Sequence, residues 1–490
     1  MSIKIQQADI IILGLGPGNP DYLTLRASTV IQNTREIYLR TREHPTVDAL
    51  PAGLKIHSFD SYYQEESFEN VYKKIANEII NLAKYSPGIV YAVPGDPFIA
   101  EATPAMIKSL AKKENLSVEI IPGVSFLEPT FAALQEDPLP QVTILDALDL
   151  QDAHYPSFPP DRPALIVQVY SPEIASDVKL TLMAVFPDKH QVFLIHDAGT
   201  DSELVENVPL YELDRSQFIK NRTSVYVPAL KKGTSLESFQ EIIAHLRSPS
   251  GCPWDREQDH QSLRPNLLEE TFEALEAIDA DDSAAMQEEF GDLLLQIVLH
   301  AQIASEDGEF NMGDIIHGIH TKLIQRHPHV FSDLDVDETE TVMKNWEAIK
   351  ARERVKNGQL DKGLLDGVPR SLPALTQAET YQKRAARVGF DWEDLKGVLG
   401  KIPEEVKELQ EAKNPESQVS EIGDILFSVV NIARWMNVDA ESALRNANQR
   451  FKARFSNIEK KARAAGRELS EMSLEELDQL WEKAKSELED

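Results

Sequence analysis

Eight carboxylates in two matching sets are the residues of this chain best suited to chemistry. The first set is Glu270-x-x-Glu273 followed by Glu289-x-x-Asp292, which runs into Leu293-Leu294-Leu295. The second, about 130 residues later, is Glu405-x-x-Glu408 followed by Glu421-x-x-Asp424 and Ile425-Leu426-Phe427. Residues three apart share one face of a helix, so each set predicts two helices that each present a pair of acids. Apolar neighbours flank these acids, and uncompensated charge is costly to bury among them. A divalent cation compensates it, and an all-oxygen ligand set suits Mg²⁺, with Mn²⁺ as the alternative. The chemistry expected there is reaction at a phosphorylated substrate.

Other features repeat with the acids. Lys322-x-x-x-Arg326 lies about 30 residues after Asp292, and Arg450-x-x-x-Arg454 lies at a similar distance after Asp424. Cations four apart occupy one helical face, where they can meet phosphates. Cys252-Pro253-Trp254-Asp255 precedes the first acid set and Gly389-Phe390-Asp391-Trp392 the second. Each feature alone is bland: in a chain with 81 acidic residues, a Glu-x-x-Glu is ordinarily a solvated surface. Their recurrence together points instead to a duplicated helical unit that binds metal.

The elements that must carry these residues are helical. Leu267–Ile278, Ala284–Ala304 and Val419–Met436 read as long amphipathic helices. Strand signals vanish after Pro228, and proline and glycine cluster at Ser248–Pro253 and Asn357–Pro373. Before Pro228 the texture is different. Ile10–Leu13 is an apolar run entering Gly14-Leu15-Gly16-Pro17-Gly18, which predicts a buried strand and a tight turn. Further strands are expected at Ile89–Val93, Val118–Ile121, Leu165–Val169, Val192–Ile195 and Ser224–Val227, with helices at Tyr72–Leu82 and Thr103–Lys112. The expected architecture is therefore an α/β N-terminal domain followed by an all-α region of two repeated halves. The domain plan is 1–228, a linker at 229–238, a first helical half at 239–356, a connector at 357–373 and a second half at 374–490. The last of these includes a charged helical extension after Glu459.

Composition narrows the setting. A length of 490 residues allows several domains, and 42% hydrophobic residues is ordinary for a globular chain. No stretch approaches the roughly 20 apolar residues of a membrane span, and the N-terminus lacks the pattern of a secretory signal. The single cysteine, Cys252, excludes an intramolecular disulfide, so a cytoplasmic protein is expected. A net charge of −31 argues against tight nucleic-acid binding but not against small nucleotides, because a bound metal reverses the local field.

Residues from about 239 to 456 resemble the MazG nucleoside triphosphate pyrophosphohydrolases. The strongest matches are Cys252–Asp255, Ser262-Leu263-Arg264-Pro265 running into Leu267–Glu270, Glu289–Leu294 and Arg326–Phe331, with Arg384–Trp392 and Glu421–Asp424 in the second half. The resemblance implies an intertwined helical homodimer that hydrolyses nucleoside triphosphates to the monophosphate and pyrophosphate. It implies that Glu270, Glu273, Glu289 and Asp292 hold Mg²⁺ in one half, and Glu405, Glu408, Glu421 and Asp424 in the other. Glu269 or Glu404 then orients the attacking water. Lys322 and Arg326, or Arg450 and Arg454, clamp phosphate, with Lys383 and Arg387 as weaker candidates. Trp254 and Trp392 can stack on the base, although a core tryptophan is the simpler account of each. Position 450 is Arg where the family often has Lys, which keeps the charge and changes its geometry. Asn448 precedes the cations in the family's pattern and favours the second half as the catalytic one.

The glycine-rich turn at 14–18 is not a dinucleotide fingerprint, since position 19 is Asn where G-x-G-x-x-G requires glycine. Two later loops fit another family. Val93-Pro94-Gly95-Asp96-Pro97 and Ile121-Pro122-Gly123-Val124-Ser125 each follow a strand. Glycines there let backbone approach a ligand closely, and Asp96 can accept hydrogen bonds from a ribose or amine. With the first turn, these loops make residues 8–228 resemble the tetrapyrrole methylases, which implies S-adenosylmethionine (SAM) bound between two α/β subdomains. Gly16, Pro17, Gly95, Asp96, Pro97, Pro122, Gly123, Val124, Ser125 and the strand-end Val169 and Tyr170 match its cofactor-contacting regions. Where corrin-pathway methylases commonly carry a Gly-Arg pair, this chain reads Phe98-Ile99-Ala100-Glu101, an acidic substitution unfavourable to a carboxylate-rich tetrapyrrole. The whole arrangement resembles the YabN-type fusions of Gram-positive bacteria.

Three functions follow in order. The first is an Mg²⁺-dependent nucleoside triphosphate pyrophosphohydrolase, and complete acid sets favour it. The second is a SAM-dependent methyltransferase dimerised by its helical region. The third is a non-catalytic ligand-sensing scaffold.

Overall fold

The computed structural model describes residues 8–64, 67–331, 349 and 363–488. The chain divides into two compact units, Met1–Glu257 and Gln258–Asp490.

The first unit contains two five-stranded sheets. Strands β1 (Ile10–Gly14), β2 (Glu36–Leu39), β3 (Lys55–Ser58), β4 (Ile89–Val93) and β5 (Val118–Ile121) form the order β3-β2-β4-β1-β5. All its pairings are parallel. Both faces of β1 and β4 are buried, as expected of uninterrupted apolar runs in the middle of a parallel sheet. The second sheet holds β6 (Thr143–Asp146), β7 (Ala164–Val167), β8 (Gln191–His196), β9 (Leu204–Pro209) and β10 (Thr223–Val227) in the order β6-β7-β10-β8-β9. Only its β6–β7 pair is parallel; the others are antiparallel.

The strand expected at Leu165–Val169 ends two residues early. Gln168 takes a left-handed conformation, φ +62°, and turns the chain out of the ladder. Val169 then buries in the core of the second sheet and Tyr170 packs beside it. The segment expected to be a linker is tied to this unit. The buried Asp161 carboxylate accepts from Gly233 N at 3.3 Å and from the Ser238 hydroxyl. Ser235 caps the helix Leu236–Arg247.

Within the described residues the second unit is helical, without strands. Helix Arg264–Asp279 is followed, after a three-residue turn, by helix Ser283–Glu306. Asp282 starts the latter by accepting from Ala284 N and Ala285 N. Helix Leu395–Glu411 and helix Pro415–Trp435 repeat this hairpin, with Asn414 as the cap. Helix Met312–Arg326 packs on the first hairpin, and helices Ala374–Ala386 and Ala440–Ala464 on the second. The extension after Glu459 ends in helix Leu474–Leu488, which lies against Ala440–Ala464 through Phe451 and Trp481. No helix among the described residues is long and apolar enough to cross a membrane.

Candidate functional site

The short turns make each hairpin's helices neighbours, so acids three apart on one helix meet acids three apart on the next. In the first half, carboxylate oxygens of Glu270, Glu273 and Glu289 all lie within 4.8 Å of one another. Asp292 falls outside that group, yet its charge acts on both Glu270 and Glu289. Glu270 is raised above the ordinary carboxylate range by its seat between the helices, then by Asp292, Glu273 and Glu289. Glu289 is raised the same way, by burial and then by Glu273 and Asp292. Among the described residues no lysine or arginine forms an ion pair with these four acids.

The second half gathers Glu405, Glu408 and Glu421 within the same 4.8 Å. Burial, then Glu408, Asp424 and Glu405, raise Glu421. Here, however, a lysine enters. Lys401 Nζ lies 2.9 Å from Glu405 and 3.0 Å from Glu404. These hydrogen bonds raise the Lys401 ammonium above its ordinary value. Glu404 and Glu269 are both exposed, and Glu404 pairs with Lys401. Lys401 was not singled out from sequence, although its position one helical turn before Glu405 is the i,i+4 signal for such a pair.

Gathering like charges at one point is unfavourable unless a cation joins them, and all the donors are carboxylate oxygens. The residues of both clusters fit a hard divalent cation.

The expected phosphate clamps are placed unevenly. Lys322 is exposed on helix Met312–Arg326, and Arg326 ends that helix half-buried. Asn448 and Arg450 are exposed on helix Ala440–Ala464, while the Arg454 guanidinium stands 5.7 Å over the Trp481 ring. Lys383 pairs with buried Glu379 at 2.6 Å, and Arg387 caps the end of their helix. Trp254, in the first unit, and Trp392 are both exposed, so neither is a core tryptophan within one chain. Trp392 covers Gly397, where a Cβ would lie 2.8 Å from its ring.

In the first unit, strands β4, β1 and β5 are parallel neighbours, so the three glycine loops leave the same edge of the sheet. Gly16 and Gly95 exchange backbone hydrogen bonds of 3.2 and 2.8 Å. A Cβ on Gly14 would lie 2.3 Å from the Gly95 carbonyl, and one on Gly123 2.2 Å from it, so both positions require glycine. Gly95 itself, at φ +63°, has nothing within 4 Å on that side and leaves backbone open to a ligand. Asp96 serves the loops: it accepts from Gly123 N at 3.2 Å and from Phe98 N at 2.9 Å. Buried Ser125 donates to Glu128 at 2.5 Å and accepts from Leu127 N. Pro17 and Pro97 are buried, Pro122 is exposed and Val124 half-buried. Val169 is wholly buried.

Glu101 does not stand as a free negative charge. Its carboxylate accepts from Thr103 N and the Thr103 hydroxyl at 3.2 and 2.8 Å, and lies 2.8 Å from Arg40 Nη1. The acidic substitution that counted against a polyanionic substrate is neutralised inside the fold.

Comparison with known proteins follows the same division. Residues 9–214 match the family described as tetrapyrrole (corrin/porphyrin) methylases. Residues 258–331 match the MazG nucleotide pyrophosphohydrolase domain, and residues 374–451 match phosphoribosyl-ATP pyrophosphohydrolase. The YabN protein of Bacillus subtilis is 43% identical over 97% of this chain and 98% of its own length. The nucleoside triphosphate pyrophosphohydrolase/pyrophosphatase MazG of Thermotoga maritima is 48% identical, over 52% of this chain and 96% of its own length. The nucleoside triphosphate pyrophosphohydrolase of Escherichia coli K12 is 42% identical, over 51% of this chain and 97% of its own length.

Proposed function

We propose, from the premise that this chain belongs to the YabN family, in which a tetrapyrrole-methylase domain is joined to a MazG region, that it hydrolyses nucleoside triphosphates to monophosphate and pyrophosphate. The observation that carries the reading is the pair of three-carboxylate clusters, each on a two-helix hairpin and each offering carboxylate oxygens as ligands. Both hairpins fall in regions that match pyrophosphohydrolase domains.

Glu270, Glu273, Glu289 and Asp292 would hold Mg²⁺ in one half, and Glu405, Glu408, Glu421 and Asp424 in the other. Bound there, Mg²⁺ supplies charge neutralisation of the phosphate oxygens and of the pyrophosphate leaving group. Water attacks the α-phosphorus and the bond from that phosphorus to the bridging oxygen breaks. Glu269, exposed beside Glu270, orients that water in the first half. Glu404 can do so in the second, where Lys401 Nζ lies 3.0 Å from it. Lys322 with Arg326, and Arg450 with Arg454, meet the triphosphate; Asn448, Lys383 and Arg387 stand as secondary contacts, and Trp392 offers an exposed face for a base.

A second copy of the chain completes the helical unit. Phe290, Leu294 and Ile297 are exposed at i, i+4 and i+7 along Ser283–Glu306, and Val419, Ile422, Leu426 and Val429 at i, i+3, i+7 and i+10 along Pro415–Trp435. Apolar stripes of this length call for a partner surface, and a homodimer supplies it. In the first unit, the open backbone at Gly95 and the loops around it suit SAM; binding of labelled SAM, lost in Gly95→Val, tests that part separately.

The decisive experiment is pyrophosphate release with Mg²⁺ across a panel of NTPs and dNTPs. Activity is expected in the wild type and lost on chelation. No release with any nucleotide would sink the reading.

A further inference from the structure

Each acid hairpin is fastened by a side-chain bridge from the loop before its first helix to the far part of its second helix. In the second half that bridge is ionic. Asp391 receives Arg434 Nη1 at 2.9 Å and Nη2 at 2.5 Å, and Trp435 Nε1 at 3.1 Å. In the first half it is a pair of imidazoles. His260, on the loop leading to helix Arg264–Asp279, meets His300, on helix Ser283–Glu306, with their Nδ1 atoms 2.7 Å apart. The rings lie nearly parallel, at 12°.

We propose that His260 and His300 are positioning residues for the first acid cluster, and that their hydrogen bond makes that cluster acid-labile where the second is not. The inference rests on the reading of the clusters as cation sites.

An Nδ1-to-Nδ1 hydrogen bond needs one nitrogen to donate and the other to accept, so at least one imidazole must be neutral. Two protonated rings at 2.7 Å have no acceptor between them and repel. Burial, and then His260, lower the His300 imidazole below its ordinary value, in keeping with a neutral ring. Its Nε2 is buried with no hydrogen-bond partner. From the loop, His260 faces His300 and Asp259 acts on His260. From the helices, the adjacent turn brings buried Gln296, which is uncharged.

The bridge sets the acids through geometry. Leu263, fully buried, begins helix Arg264–Asp279 three residues after His260. Fixing His260 to His300 therefore fixes how Glu270 and Glu273 stand against Glu289 and Asp292. Arg434 and Asp391 fix the other hairpin without a group that titrates between neutral and mildly acid pH.

Mn²⁺ binding to the full-length protein, followed by electron paramagnetic resonance, tests this. Glu405→Gln/Glu408→Gln leaves the first cluster to report, and Glu270→Gln/Glu273→Gln leaves the second. Carboxylate protonation weakens both. The first proton leaves a neutral acceptor, so the bridge parts only with the second; between about pH 8 and about pH 5 the first cluster is expected to lose more affinity than the second, by up to about tenfold per pH unit once both rings are charged. His300→Gln, which keeps a neutral hydrogen-bonding side chain, should retain affinity at about pH 8 and abolish the extra acid loss. His260→Asn is the second variant should that one fail to fold. Parallel pH curves for the two clusters, or an extra loss that persists in a folded histidine variant, would overturn the proposal. Absence of Mn²⁺ at both clusters at the alkaline end would overturn the cation reading, and the positioning role with it.

Discussion

The two acid hairpins present the same ligand types at the same spacing but neutralise them differently. The first leaves three converging carboxylates with no basic partner among the described residues. The second admits Lys401, which binds Glu404 and Glu405. A resident ammonium already offsets part of the repulsion that a metal would relieve. On the cation reading, the first hairpin would depend more on a cation from solution, and the second would be better able to persist without one. A shared motif thus does not fix a shared affinity; one residue a helical turn away changes it.

The harshest way to break the comparison is to remove acids. Glu270→Gln/Glu273→Gln and Glu405→Gln/Glu408→Gln should each abolish Mn²⁺ binding at their own cluster and leave the other intact. Pyrophosphate release should fall about a hundredfold or more in whichever variant removes the catalytic half. Equal, partial losses in both would mean that the halves work alike.

Exchanging the lysine sharpens it. Lys401→Gln should tighten Mn²⁺ at the second cluster by about three- to tenfold, the scale of a partly exposed ion pair. Asn266→Lys, one turn before Glu270, should weaken the first cluster by a similar factor. Unchanged binding in both variants would show that Lys401 is no competitor for the cation.

Local periodicity explains what the sequence made legible. The acid pairs needed only a three-residue repeat on helices whose apolar faces were plain, and both hairpins stand where those faces predicted. The strands β1, β4 and β5 were equally plain as apolar runs. Strands β2, β3, β6 and β9 were not foreseen, because four to six residues with many partly exposed side chains are too short a window to establish a period. Tertiary pairing was invisible. His260 and His300 are 40 residues apart. Arg40 and Glu101 lie on different loops, and only folding shows that the acid meant to repel an anion is already paired. Asp96 illustrates the same limit, since loop composition cannot reveal that its carboxylate binds backbone.

Proton linkage gives a smaller, thermodynamic test. The folded Glu270, Glu289 and Glu421 hold protons more tightly than the ordinary carboxylate, near 4.5. Their contribution to metal-free stability is fully present below that value and is lost as pH rises through the raised values. At about pH 7.5 the metal-free protein therefore carries the repulsion. Mg²⁺ at about a hundred times its Kd should raise Tm by a few degrees there and by less near about pH 5. A Tm that ignores Mg²⁺ at both pH values would count against cation binding at either cluster.

The smallest effect concerns the ionic bridge. Arg434 and Trp435 hold Asp391 below the ordinary carboxylate range, with the Arg434 hydrogen bonds the largest cause. A lowered carboxylate stabilises the fold above its unfolded value, near 3.8, and that contribution is lost as pH falls through the lower folded value. The bridge thus keeps its charge from neutral to mildly acid pH. Asp391→Asn removes the charge while keeping an acceptor, and the pair is partly exposed, so the cost should be about 1 kcal/mol. That corresponds to a fall in Tm of about 2–4 °C, constant between about pH 8 and about pH 5.5. His300→Ala should show a different profile, destabilising at the alkaline end and approaching wild type only where acid charges both rings and parts them. If both variants traced the same pH profile, the difference between the two bridges would be one of composition alone.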